Sequence, residues 1–231
     1  MSIFTPTAFY QQVIQAAPAA GVVTNGLISY IDPGNPSCYP GSGATLTDLS
    51  GTGNNATLVN SPTYNSGNGG YFTLNGTNQY INFATTGLPN TGHTVMVWWM
   101  QTTLAEKGLM ATYEINPDTG TPYRYIRAGN GTCDTYAYDT SPGYVTLSSY
   151  SANTWYNITL TNTTTTQQGY WNNSQVITNR TVGTAGDDTK ISFGNGYHGY
   201  LTGRIAVILI YNRALSASEI TENYNFFNSR Y

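Results

Sequence analysis

A chain of 231 residues is long enough for one large domain with a buried core, yet only 8% of it is charged. The formal net charge is −3 and the eight basic residues are scattered, which gives no electrostatic footprint for nucleic acid. A hydrophobic content of 39% with 13% aromatic residues excludes a disordered chain, and no apolar run reaches the roughly 18 residues of a membrane span.

Thr, Asn, Ser, Gly and Tyr replace the missing charge. They suit strands and turns, and they favour neutral partners such as glycans or protein surfaces. The first residues lack the basic start and apolar core of a signal peptide. Synthesis in the cytoplasm, without general secretory export or membrane insertion, is therefore expected.

Residues 1–20 are predicted to be a helix-prone docking arm ahead of a domain at 21–231. Phe9, Val13 and Ala16 fall on one helical stripe, and Tyr10, Ile14 and Ala17 on the next. So short a helix needs a surface to dock on, and Phe4, Phe9, Tyr10, Val13 and Ile14 are its candidate anchoring residues.

From Gly26 onward short apolar runs alternate with turn signals. Strands are predicted at 27–31, 71–74, 79–83, 94–101, 109–115, 123–127, 135–138, 144–147, 155–161, 167–171, 190–193 and 201–211. Asp48-Leu49-Ser50-Gly51-Thr52-Gly53-Asn54-Asn55 is an Asx- and glycine-rich ordered loop, and the polar tract from Asn162 to Gln168 fits a hairpin tip. Adjacent Trp98 and Trp99 must face opposite sides of their strand.

The last strand is followed directly by a helix start. Ser216 and Glu219 form an S-x-x-E capping box, Leu215 and Ile220 a hydrophobic staple, and Ile220, Tyr224 and Phe227 a helical stripe able to lie on a sheet. An antiparallel two-sheet β-sandwich with one short C-terminal helix follows.

Several pieces, in order, resemble the laminin-G-like, concanavalin A-like jelly-roll family. They are Gly26-Leu27-Ile28-Ser29-Tyr30-Ile31-Asp32, Asp48-Leu49-Ser50-Gly51, Tyr71-Phe72 with Gly76 and Tyr80-Ile81, Thr94-Val95-Met96-Val97-Trp98, Trp155-Tyr156-Asn157-Ile158-Thr159 and Ile210-Tyr211-Asn212-Arg213-Ala214-Leu215-Ser216. The resemblance implies a jelly roll with Trp155 at a core position. The wording of Asp32-Pro33-Gly34-Asn35 and Tyr39-Pro40-Gly41-Ser42-Gly43 is similar to forms of this domain in bacteriophage virion proteins.

The fold hosts lectins, glycan hydrolases and viral surface proteins, so function must come from side chains. Related glucanases carry E-x-D-x-E on one strand face; here Glu106 and Glu114 have no Asp between them, and Glu219 and Glu222 fall in the C-terminal helix. His93 beside Gly92 and His198 beside Gly199 read as turn residues, and Asp187-Asp188 as a solvated turn tip. The chain is expected not to be an enzyme.

Family relatives bind Ca2+ through acidic residues in the closing strand, where this chain has Ala206-Val207. That leaves Asp32, Asp48 and loop carbonyls as a thin oxygen set for calcium, against a role as turn caps. No other cofactor is expected. Cys38 and Cys133 are read as free thiols rather than a disulfide.

Tyr113, Tyr123, Tyr125, Tyr136 and Tyr138 form a dense tyrosine group in the middle strands, the candidate ligand-binding surface. The function expected is that of a non-enzymatic phage virion protein on the particle surface, as capsid decoration or a head or tail fibre component. It would be anchored by the N-terminal arm to other virion proteins and form a homo-oligomer such as a trimer. The alternative is a lectin module recognising host surface polysaccharide.

Overall fold

The computed structural model describes residues 21–83, 88–89, 91–113, 124–137, 143–183 and 190–231. The N-terminal arm, with Phe4, Phe9, Tyr10, Val13 and Ile14, lies outside these residues, as do Glu114, Tyr123, Tyr138 and Asp187-Asp188.

The strands in chain order are β1 (Leu27–Ile31), β2 (Thr45–Leu46), β3 (Ala56–Val59), β4 (Thr63–Asn65), β5 (Tyr71–Asn75), β6 (Tyr80–Phe83), β7 (Gly92–Gln101) and β8 (Lys107–Tyr113). They continue as β9 (Arg124–Gly129), β10 (Thr132–Ala137), β11 (Tyr144–Ser149), β12 (Tyr156–Thr163), β13 (Thr166–Trp171), β14 (Ser174–Thr181), β15 (Lys190–Phe193) and β16 (Thr202–Tyr211). Helix α1 (Ala217–Phe227) and a single 3-10 turn (Asn228–Arg230) close the fold.

Among the described residues these strands make two antiparallel sheets. The first runs β14-β13-β12-β7-β16-β5-β4, with β1 also paired to β16; the second runs β11-β10-β9-β8-β15-β6-β3-β2. The two sheets face each other as the sandwich expected from the strand spacing.

Strand alternation decides which residues fill which layer. On β7, Val95, Val97 and Trp99 point between the sheets, while Met96 and Trp98 point the other way, under α1. All ten residues of β7 are buried, because both faces of this strand are covered. Each large side chain so enclosed contributes roughly 1.5–3 kcal/mol of transfer free energy. His93 belongs to this strand and is not a turn residue: it is buried, its ring Nδ1 lies 3.0 Å from the Pro89 carbonyl, and burial lowers its pKa to about 4.

β16 carries a bulge. Ile205 pairs with Trp99 but Ile208 with Val97, so the strand has one residue too many between them. Ala206 and Val207 both end up in the helix-covered layer, fully buried. The position where the resemblance led calcium ligands to be expected is here an apolar bulge.

The helix forms where the capping pattern predicts. Ser216 Oγ accepts from the Glu219 N–H at 3.4 Å and the Glu219 carboxylate accepts from the Ser216 N–H at 2.8 Å. Leu215 and Ile220, the staple pair, are buried together with Phe227 against Trp98, Leu209 and Tyr211. Asn223, inside this layer, is satisfied by donating to the Tyr211 hydroxyl at 2.9 Å and accepting from the Val23 N–H at 2.9 Å. Trp155 is not in the inter-sheet core: it is half-buried at the edge of the helix layer, 4.9 Å from the Tyr231 ring.

Candidate functional site

With one face of the first sheet under the helix, the outer face of the second sheet remains for function. On β9, Ile126 and Ala128 go to the core, so Tyr125 and Arg127 point outward. On β10 the outward positions are Asp134 and Tyr136, and on β11 they are Tyr144 and Thr146. The loop after β15 then lays Tyr197 and His198 over this surface.

Two glycines permit close approaches here, Gly108 that of this loop and Gly129 that of Glu106. A Cβ on Gly108 would stand 2.6 Å from the backbone of Gly196, and one on Gly129 would stand 2.5 Å from Glu106 Cα. The Gly108 N–H donates to the Gly199 carbonyl at 3.1 Å and the Gly194 N–H to that of Leu109 at 2.7 Å, so the loop is pinned to β8 at both ends.

The result is a tyrosine–histidine cluster. Tyr125 and Tyr136 stack at 4.7 Å with 16° between their planes, Tyr136 and Tyr144 are 5.2 Å apart, and Tyr197 lies 6.4 Å from Tyr125. Tyr125 is buried by its neighbours, whereas Tyr197 is 71% exposed. A hydrogen-bonded chain links the cluster: the Tyr125 and Tyr144 hydroxyls bond to each other, Tyr144 meets His198 Nε2 at 3.2 Å, and His198 Nδ1 contacts the Glu106 carboxylate. Burial holds the His198 imidazole below its usual pKa, against the pull of Glu106, so at neutral pH it donates from Nδ1 and accepts at Nε2.

Arg127 anchors the charged rim. Its guanidinium lies 3.9 Å from the centre of the Tyr144 ring, its Nε donates to Asp134 at 3.2 Å and its Nη1 to Glu106 at 3.4 Å. Thr146 Oγ1 donates to the other Asp134 oxygen at 2.7 Å. Two carboxylates thus share one cation, and the face carries no surplus positive charge.

Of the five tyrosines singled out in the sequence, Tyr125 and Tyr136 are brought together here. Tyr113 ends β8 but its side chain is outside the described set, like Tyr123 and Tyr138. Tyr144, Tyr197, His198 and Arg127 join the site from elsewhere. The signal for two of them was the glycine-framed stretch Gly194-Asn195-Gly196-Tyr197-His198-Gly199.

Asp32 and Asp48, the carboxylates weighed for calcium, are both engaged by protein donors. Asp32 takes Arg230 and the Gly34 N–H; Asp48 takes the N–H groups of Tyr30, Ser50 and Asn54 and the hydroxyls of Ser50 and Thr52. These hydrogen bonds pull the Asp48 carboxyl below its usual pKa although burial opposes them. Both act as loop organisers. Among the described residues no group of three or more His, Cys, Asp or Glu is placed to hold a metal ion.

The model of the Laminin_G_3 family, described as the concanavalin A-like lectin/glucanases superfamily, matches residues 75–221, more than half of the chain. The chain belongs to this superfamily.

Its solved neighbours show the fold. A Trypanosoma rangeli sialidase, in complex with a difluoro-KDN compound, is similar with a TM-score of 0.70 and 14% identity, over 99% of this chain and 36% of the sialidase chain. The receptor-binding domain of the botulinum neurotoxin C/D mosaic serotype has a TM-score of 0.64 and 17% identity, over 88% and 52%. The botulinum neurotoxin serotype D ligand-binding domain, in complex with N-acetylneuraminic acid, has a TM-score of 0.65 and 16% identity, over 88% and 51%. This superfamily member therefore spans about a third to a half of these neighbours' length. No curated protein matches it in sequence.

Proposed function

We propose that the chain is a non-catalytic carbohydrate-binding protein that lays a neutral glycan across the face formed by Tyr136, Tyr144 and Tyr197. The observation that carries this reading is an exposed tyrosine ring beside stacked tyrosines, rimmed by Asp134, Glu106 and Arg127. Aromatic faces suit the C–H surfaces of a sugar, and the rim carboxylates accept hydrogen bonds from its hydroxyls. Two neighbours were solved with sialic-acid-type ligands. This face differs in its charge balance, because Arg127 is already shared by two carboxylates and leaves no net positive charge to attract an anionic sugar. Engagement of Glu106 and Asp134 by the same guanidinium also argues against hydrolysis by a carboxylic acid and carboxylate pair.

A glycan array probed with the intact protein tests this. Binding to neutral polysaccharides is expected, with signal lost on Tyr197→Ala and no gain on sialylation. Silence across the array, dependence on sialic acid, or new reducing ends released from a bound polysaccharide would overturn it.

The second reading concerns where the module is displayed. The similarity of Asp32-Pro33-Gly34-Asn35 and Tyr39-Pro40-Gly41-Ser42-Gly43 to phage virion domains favours display on a phage particle, with residues 1–20 docking to virion proteins or sister subunits in a homo-oligomer such as a trimer. Deleting residues 1–20 should release the protein from particles; normal incorporation of the truncated form would sink the idea.

A further inference from the structure

On the opposite side of the sandwich, where α1 meets the ends of β12 and β13, lies a pocket of about 190 Å3. It is lined entirely by aromatic and carboxamide residues, among them Trp98, Trp155, Tyr224, Tyr231, Asn172 and Asn228. We propose that it is a second binding site, independent of the tyrosine face, and that its ligand is a single neutral sugar ring.

The pocket follows from local sequence. Asn172 and Asn173 both have positive φ, 46° and 68°, and make the two-residue turn between β13 and β14. This turn folds Asn172 against β12, where its side-chain oxygen accepts from the Asn157 N–H at 2.8 Å while its own N–H donates to the Asn157 carbonyl at 3.0 Å. Thr221 Oγ1 on α1 donates to the Asn173 side-chain oxygen at 3.0 Å, tying the turn to the helix. The aromatic walls are equally fixed. Tyr224 stacks on Trp98 at 6.3 Å and 21°, and Tyr231 packs on Trp155 while its hydroxyl reaches the Gly70 carbonyl at 3.2 Å.

Polar capacity is left over. The Asn172 amide nitrogen, the Asn228 carboxamide and the Tyr224 hydroxyl make no hydrogen bond among the described residues. These are donors and acceptors on a fixed frame without formal charge, which suits hydroxyl groups and not a phosphate, a carboxylate or an ammonium. The size fits one ring: a cavity of about 150 Å3 accommodates benzene, and this one is somewhat larger. An apolar ligand would leave the carboxamides unpaired, whereas a pyranose presents hydroxyls that can pair with them.

Saturation-transfer NMR on the intact protein with D-glucose, D-galactose and N-acetylglucosamine tests the proposal. At least one should bind saturably, with Kd on the order of 1 mM, in the wild type and equally in Tyr197→Ala. Asn228→Trp, at an exposed position on the pocket wall, should abolish that binding, and Tyr224→Phe should weaken it by roughly 3- to 10-fold, the effect of one hydrogen bond. Circular dichroism checks that each variant is folded, and Tyr224→Phe serves alone should Asn228→Trp fail to fold. Absence of binding by all three sugars, or binding unchanged in both pocket variants, overturns the second site. Loss of monosaccharide binding in Tyr197→Ala also overturns it and supports the tyrosine face instead. Polysaccharide binding that survives Tyr197→Ala and fails in Asn228→Trp leaves the pocket standing and removes the tyrosine-face reading.

Discussion

Arg230 and Asp32 join the end of the last helix to the end of the first strand: Arg230 Nη1 donates to both carboxylate oxygens, at 2.9 and 2.8 Å, across 198 positions. The Asp32 carboxylate is only 2% exposed, and its other donors are the Gly34 N–H at 3.1 Å and the Tyr30 hydroxyl at 3.4 Å. Removing the arginine leaves a buried anion without its cation. Arg230→Ala is expected to destabilise the fold by about 3 kcal/mol, at the low end for a buried pair because the arginine is partly exposed. In urea unfolding, Arg230→Ala combined with Asp32→Asn should cost less than the sum of the two single changes; strict additivity would show that the pair is not coupled.

His93 makes stability depend on acid. Burial first, and Arg124 second, lower its pKa from 6.5 to about 4, so the unfolded chain binds this proton and the folded one does not. The contribution is complete above pH 6.5, declines as pH falls toward 4 and is exhausted below that, amounting to about 3 kcal/mol. Thermal unfolding across this window should show a falling Tm, and His93→Gln should flatten the slope. An unchanged slope in the variant would assign the effect to other groups.

Gly108 sets the height of the loop that carries Tyr197 and His198. In Gly108→Ala the new methyl would meet the Gly196 backbone, which cannot rotate away, so the loop must lift. The expected cost is about 1–3 kcal/mol of stability, the usual penalty for overpacking, together with roughly tenfold weaker glycan binding. Retained binding in a folded Gly108→Ala protein would show that Tyr197 and His198 are not needed where they lie.

Both thiols are free and buried, and burial pushes Cys38 up to about 12 and Cys133 well above its ordinary value. Neither should react with an aromatic disulfide reagent at pH 8 in the folded protein, and both should react in urea. Rapid labelling of the native chain would contradict this burial.

The sequence was most legible where a short strand buries most of its residues between turn signals. β1 and β15 fall on the residues expected, and Ser216 caps α1 as its pattern implied. Strands with little to bury gave no such signal. β14 exposes most of its residues and buries only Ile177, and β2 is two residues long, so neither carries a readable period. The candidate face was half legible for a related reason. Tyr125 and Tyr136 sit on adjacent strands and announce themselves by density, whereas Tyr197 and His198 arrive through a loop whose path depends on the contact of Gly108 with Gly196, distant in sequence. Trp155 illustrates the opposite error: its place in a motif suggested a core role, but the helix layer gives a tryptophan a second place to bury one edge.

β16 is the last strand in the chain, yet it lies in the interior of the first sheet, paired with β7, β5 and β1. While the chain is being made, those three strands must therefore wait with open edges until residues 202–211 appear. Strand pairings between distant segments form slowly, and unpaired edges invite association with other chains. Folding should be a single late event, with no half of the sandwich able to stand alone, so a chain cut short before Thr202 would be a substrate for chaperones and proteases rather than a smaller stable domain.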